Sequence, residues 1–353
     1  YELCDKYGIV VWAEIPFLDK LGSNEEAFKE VTRNQLVEMI RQQYNRPSIL
    51  MWGLQNEVST GSYNSQMSIF MPELHNLAKK EDPSRFTVQA QAGTERYNWT
   101  TDLYAKNQYP GWYQSGSFGS YMDRFKSLEY FVGMSEYGAG GNINQHEINP
   151  AQPQHNGQWH PEEYQNKVHE EAIVDISTRD WIWGTFVWNM FDFGSDSRNE
   201  GEQPGVNDKG LVTFDRSVKK DSYYAYKVNW NTEPEIYISS RRYTERKQNI
   251  TPVTVYSNCD VVELFVNGIS HGALEYKDVK CGFFKWTGIE LTNKGNGDEA
   301  KNTIKAVGTK NGEKINEDEV VWSRVLGQSN AITSSRLVID PVSYTNMTLP
   351  KIC

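Results

Sequence analysis

The 353 residues, at roughly 150 per domain, leave room for two domains, or for one barrel-sized domain with an appendage. Hydrophobic residues make up 38% and charged residues 23%, which excludes wholesale disorder and fits a soluble globular chain. Lys and Arg number 36 against 46 Asp and Glu, a net charge of −10 without any long basic run, so nucleic acid is not an expected partner.

The longest mainly apolar run, 181–193, is broken by Asn189 and Asp192 and falls short of the roughly 20 residues a membrane helix needs. No membrane span is expected. Cys4, Cys259, Cys281 and Cys353 show no Cys-x-x-Cys or Cys/His spacing, so neither a metal site nor a disulfide-dense scaffold is indicated. Aromatic residues reach 13%, with 11 Trp and 20 Tyr, more than a core requires and the kind of rings that stack on sugars.

Tyr1 is not an initiator Met, and residues 1–7 read as the end of a helix closed by Gly8 before a strand at 9–15. Upstream sequence is expected to have been removed, and with it any sign of the compartment, which stays open. Ser23 and Glu26 resemble a capping box, and Phe28, Val31, Leu36, Met39 and Ile40 form a helical stripe as far as Gln43. Then follow a strand at 49–54, a helix at 65–80, strands at 86–90 and 102–104, a helix at 121–127 and a strand at 130–134. A last helix, 161–178, leads to a strand at 182–188. Repeated strand–helix units with apolar strands predict a parallel sheet, closed into a barrel or doubly wound.

Near 231–235 the texture changes. Short alternating strands at 253–256, 262–266, 283–286, 303–307 and 320–324, with an Asn267–Gly268 turn and no helical signal, predict a β-sandwich of about 95 residues. The expected division is 1–231, 232–327 and a polar tail at 328–353.

In an α/β barrel the chemistry sits at the C-terminal ends of the strands. Glu57 and Glu136 each end an apolar run there. Two carboxyl groups facing one pocket suffice for glycosidic cleavage, one protonating the leaving oxygen while the other attacks the anomeric carbon or activates water. Taken singly, each could equally be a loop residue in a salt bridge. Glu14, ending the first strand, could face the pocket or make a structural salt bridge. Trp181 and Trp183 alternate as core residues do, and His146, in a polar loop, is a lesser candidate.

NRPSILMWGLQNE at 45–57, SEYGAG at 135–140, GLVTFDR at 210–216 and KKDSYY at 219–224 closely resemble glycoside hydrolase family 2. That family includes β-galactosidases, β-glucuronidases and β-mannosidases, and the resemblance runs from residue 1 to 326. The stretch 135–146 is most similar to the β-galactosidases. The resemblance implies a (β/α)8 TIM barrel, with six of its eight strands in this chain, followed by an Ig-like β-sandwich. The first two strands and the N-terminal β-domains of family members are not in this sequence, so either a partial barrel or a sequence that omits the protein's beginning is expected.

The same resemblance implies a retaining double displacement with Glu57 as general acid/base and Glu136 as nucleophile, needing no cofactor and no metal. It places Asn56 on the sugar 2-hydroxyl, Asn107 and Tyr109 in a binding loop whose tyrosine donates to the nucleophile, and Trp188 under the sugar ring. Asn207 and Lys209, in Asn-Asp-Lys-Gly, match the pair that holds the substrate carboxylate in β-glucuronidases, though similar stretches precede Gly-Leu-Val in galactosidase-like members. The expected activity is hydrolysis of terminal β-D-galactosides. Its alternatives are a β-glucuronidase, or a catalytically silent fragment that binds carbohydrate or serves assembly. The expected partner is a carbohydrate, and a homo-oligomer is compatible with the chain.

Overall fold

The computed structural model describes residues 1–19, 21, 23–58, 67–92, 100–127, 131–292 and 299–325. Its first part is a six-stranded parallel sheet in which every strand neighbours the next in sequence: β1 (Val11–Glu14), β2 (Ile49–Asn56), β3 (Phe86–Gln91), β4 (Leu103–Asn107), β5 (Val132–Tyr137) and β6 (Thr185–Val187). Helices α1 (Glu2–Tyr7), α2 (Glu25–Gln43), α3 (Met67–Glu81), α4 (Phe118–Met122) and α5 (Glu162–Ser177) accompany it. Consecutive parallel neighbours are the winding of a barrel rather than of a doubly wound sheet. The sheet curls far enough for Trp12 on β1 to meet Phe186 on β6 edge-on, at 5.5 Å between ring centres.

Asn24 opens α2, its side chain accepting from the amide of Ala27 at 3.3 Å, so the cap lies one residue beyond the expected Ser23. Leu36 and Ile40 on the inner face of α2 pack with Trp52 and Leu54 of β2 and with Phe70 and Leu74 of α3. Burying each such side chain contributes roughly 1.5–3 kcal/mol. Paired Arg41–Glu81 contacts at 2.6 and 2.8 Å set α2 beside α3.

Two expectations shift. The helix expected at 121–127 begins at Phe118, where Ser117 and Ser120 form a reciprocal cap. The strand expected at 130–134 runs on to Tyr137, so Glu136 lies inside β5. Two elements were not expected at all: the hairpin β7 (Phe193–Glu200) with β8 (Gln203–Asn207), and α6 (Asp221–Trp230). Thus 161–178 is not the last helix.

From β9 (Ile236–Ile238) the chain is all-β. A three-stranded sheet of β9, β11 (Ile250–Ser257) and β14 (Phe283–Glu290) faces a five-stranded one of β10 (Glu245–Arg246), β12 (Val261–Val266), β13 (Ile269–Glu275), β15 (Glu299–Lys310) and β16 (Glu313–Val325). Alternate residues, among them Val253, Val255, Val262, Leu264, Phe284, Ile304 and Trp322, interdigitate between the sheets. The expected tail at 328–353 lies outside the described residues.

The barrel and the sandwich share a core in which Tyr137 and Tyr226 of the first meet Tyr237, Tyr256 and Phe283 of the second. Arg242 bridges them, bonding Glu162 and Asp221, and the Tyr237 hydroxyl donates to Asp221 at 2.7 Å. No described helix is long and apolar enough to cross a membrane.

Candidate active site

Parallel pairing aligns the strand tips, so the last residues of β2, β4 and β5 converge. Register sets Asn56 beside Ala90 and Asn107 beside Glu136. Just past β2, Glu57 turns into the left-handed region with φ 54°, uncommon for a residue with a side chain. Its amide donates to Ala90 O at 3.0 Å, and Gln55 braces the turn by accepting from the Val58 amide at 2.9 Å. A conformation that costs on the order of 1 kcal/mol and is held on both sides marks a position selected for where it aims its side chain.

Asn107 joins the two halves of the site. Its amide nitrogen donates to Asn56 Oδ1 at 2.8 Å and to Glu57 Oε1 at 3.0 Å, while its oxygen accepts from Ser135 Oγ at 2.5 Å. Tyr109 donates to Glu136 Oε2 at 2.5 Å. A cleft of about 200 Å³ opens over Glu14, Asn56, Asn107, Ser135, Glu136 and Trp188. A larger cavity of about 420 Å³ lies between α5 and β14, but its Glu170 and Lys285 already pair with each other at 2.5 Å. The chemically poised space is therefore the smaller one.

Both carboxyl groups are pushed above the usual carboxylate range. Burial does most of it for Glu136, whose pKa rises to about 7; the Tyr109 hydrogen bond opposes the rise, the charge of Glu57 adds to it, and Asn107 and Lys209 oppose it. For Glu57 burial raises the pKa, Asn107 lowers it and Asp19 raises it. The greater push thus falls on Glu136, the reverse of what an anionic nucleophile and a protonated acid require. Two carboxyl groups this close titrate as a pair, and the donors around them decide where the proton rests. Tyr109 presents a proton to Glu136, which favours the anion there.

Glu14 faces the cleft and has no salt bridge among the described residues. Trp12 Nε1 donates to it at 3.0 Å, and its side chain crosses Gly53, where a Cβ would stand 2.6 Å from that of Glu14. Desolvation first, then the charge of Glu136, raises its pKa to about 8, although the outer edge of the residue stays open to solvent, which moderates the push. Trp188 follows β6, donates its amide to Tyr137 O at 2.8 Å and packs edge-on against Phe193; its bond to Asn189 is cis. Trp183 is half-buried and donates its indole N–H to Tyr104 O at 3.0 Å. His146 is turned elsewhere, paired with Glu163 at 3.0 Å and stacked on Tyr243.

Asn207 ends β8 and accepts from the Lys209 amide at 3.2 Å. Lys209 is only 1% exposed, yet its ammonium has no hydrogen-bond partner among the described residues. The nearest carboxylate oxygen, on Glu200, is 3.7 Å away, and the ring of Tyr113 lies 5.2 Å beneath it. Its charge reaches Glu136. Sequence reasoning missed Ser135, whose signal was its place beside Glu136. It also missed His160 and Asp208, of which only Asp208 lay in a motif.

The fold and these strand-tip carboxyl groups define a class. Residues 1–233 match the family described as glycosyl hydrolases family 2, TIM barrel domain, and the chain belongs to that family. Residues 248–316 match a domain of unknown function. A β-glucuronidase of Bacteroides fragilis is 44% identical over 304 residues, covering 83% of this chain and 43% of that protein. Among solved structures, an FMN-binding β-glucuronidase of Faecalibacterium prausnitzii L2-6 superposes with a TM-score of 0.83 at 35% identity, over 94% of this chain and 49% of its own. A Bacteroides fragilis protein provisionally named a β-galactosidase has the same TM-score at 32% identity, over 94% and 49%. The chain spans less than half the length of each.

Proposed function

We propose that the protein is a retaining exo-β-glycosidase acting on terminal β-D-glucuronides. Glu57 gives its proton to the glycosidic oxygen as the bond to the anomeric carbon breaks, and the Glu136 carboxylate bonds to that carbon. Water then enters, Glu57 takes back a proton from it, the ester to Glu136 breaks, and the sugar leaves with its configuration retained. That one Asn107 amide bonds Glu57 and also lowers the pKa of Glu136 supports a short separation, as in retaining pairs. Asn56 and Asn107 supply the amide that strengthens its hold on the sugar 2-hydroxyl as positive charge develops. In this reading the barrel, 1–231, carries the chemistry and the sandwich, 232–327, buttresses α5 and α6.

The observation that carries the choice of sugar is Lys209. A buried ammonium without a hydrogen-bond acceptor is costly, and an anionic substrate group would satisfy it. The β-glucuronidase names of the relatives favour the same choice over a galactoside, which offers only a neutral 6-hydroxyl. In the intact protein, 4-nitrophenyl β-D-glucuronide is expected to be hydrolysed far faster than the galactoside. Lys209→Ala is expected to lower kcat/KM for the glucuronide about 10- to 100-fold, the value of one charge-assisted hydrogen bond. A faster galactoside, indifferent to Lys209→Ala, would return the assignment to β-galactosidase and leave both glutamates in their roles.

A further inference from the structure

The loop bearing Asn207 and Lys209 is held from behind by its middle residue. Asp208 and His160 are fully buried, and Asp208 Oδ2 lies 2.6 Å from His160 Nδ1. The other ring nitrogen, Nε2, is 3.1 Å from the carbonyl oxygen of Gln154, an atom that only accepts, so Nε2 donates. A second proton must lie between Nδ1 and Oδ2. Burial works to raise the pKa of Asp208, but the hydrogen bond and charge of His160, with Lys220 and Lys209, outweigh it and hold the carboxyl below its usual range. The ring is thus held at both of its nitrogens, to the Gln154 carbonyl on one side and to the Asp208 carboxyl on the other.

The surroundings are shaped to this pair. A Cβ at Gly201 would stand 2.5 Å from Asp208 Oδ2 and 3.0 Å from His160 Nδ1, and one at Gly140 would stand 2.5 Å from Asp208 Oδ1. The Lys220 ammonium donates to the Asp208 carbonyl at 2.9 Å, to that of Gly141 at 2.7 Å and to Asp192 at 2.9 Å. The His160 ring meets Trp112 edge-on at 4.8 Å, and the Lys209 ammonium lies 5.8 Å from the same indole.

We propose that His160 and Asp208 are a positioning pair for the sugar-acid clamp: the imidazole, held at both of its nitrogens, anchors the Asp208 side chain and so determines where Asn207 and Lys209 stand. The proposal rests on the glucuronide reading of Lys209. Neither residue of the pair meets substrate. A displacement of about 1 Å in a binding group can cost on the order of 10²-fold, and here the grip that weakens is the one on the sugar carboxylate. The effect should therefore separate two substrates that differ only at C6.

Asp208→Asn preserves shape and removes the charge, while His160→Gln leaves a donor at one end only. In the intact protein, kcat and KM are measured for 4-nitrophenyl β-D-glucuronide and for the corresponding β-D-glucoside, with a thermal melt of each variant. Both variants are expected to raise KM for the glucuronide roughly tenfold with kcat changed less than about threefold, and to leave glucoside kcat/KM within about threefold. Parallel losses on the two substrates, or an unchanged ratio between them, overturn the pair's role while the wild-type preference for the glucuronide stands. A wild type that prefers the glucoside removes the glucuronide reading and the pair's role with it. Should His160→Gln fail to fold, the isosteric Asp208→Asn decides.

Discussion

Glu136 sits in a desolvated place that opposes its charge, and Tyr109 does most to counter the burial. A hydrogen bond to the charged form lowers a pKa, so its removal raises it. Tyr109→Phe is therefore expected to move the acidic limb of the kcat/KM profile, which reports the free enzyme, to higher pH. A limb that stays in place or moves down would show that Tyr109 does not hold the charge of Glu136. The partner carboxyl allows a second test. Glu57→Ala should spare attack on an activated nitrophenyl glucuronide, whose leaving group needs little protonation, and added azide should restore release by attacking the glycosyl ester. Rescue in Glu136→Ala instead, with a glycosyl azide of retained configuration as product, would exchange the two roles.

At the scale of elements, the strands place side chains and the glycines between them leave the space. Gly53 on β2 lies under the β1 residues Trp12 and Glu14, and a Cβ there would approach Trp12 Nε1 to 2.2 Å. Gly53→Ala is expected to lower stability by about 1–3 kcal/mol through overpacking, seen as a lower melting temperature, and to displace Glu14 from the cleft. An unchanged melt would mean that Trp12 and Glu14 can leave β2 at no cost. The elements read correctly from sequence, β2 and α5 above all, have contiguous apolar runs or helical periodicity. Two that were missed lack both. The segment DSYYAYKVNW of α6 is buried around much of its circumference between α5 and β11, so no apolar stripe contrasts with a polar face. The hairpin β7–β8 is polar along its length, and its backbone pairing rather than its side chains defines it.

Across the whole molecule, the junction of barrel and sandwich depends on Arg242, which neutralises the buried Glu162 and Asp221 together. Arg242→Ala is expected to cost about 3–5 kcal/mol, because both carboxylates would remain in the interior unpaired. Burial, then the charge of Asp221, already pushes Glu162 up to about 7, and without the guanidinium its folded-state pKa rises further. Below a folded pKa of about 7 Glu162 is protonated with or without the guanidinium, so this part of the deficit should be small in acid, grow as pH rises from about 6 to 9 and be complete only above the variant's higher pKa. Denaturant titrations of both proteins across that range measure it. A deficit that grew on acidification would mean that Arg242 does not neutralise these groups.

The sequence by itself determined the strand and helix succession of the barrel as far as β6, the change to all-β texture near residue 231 and the two strand-end glutamates, because periodicity, caps and apolar runs are properties of neighbouring residues. It could not show that Asn107 would reach across to Asn56 and Glu57, some 50 positions earlier, or that Glu14 would face the cleft rather than a salt bridge. Those contacts depend on the register of parallel strands, which core packing between sheet and helices sets. It also left Lys209 balanced between two sugars. Only the folded chain buries that ammonium while none of the described residues offers it a hydrogen-bond acceptor, since burial and hydrogen-bond geometry are relations among residues distant in sequence.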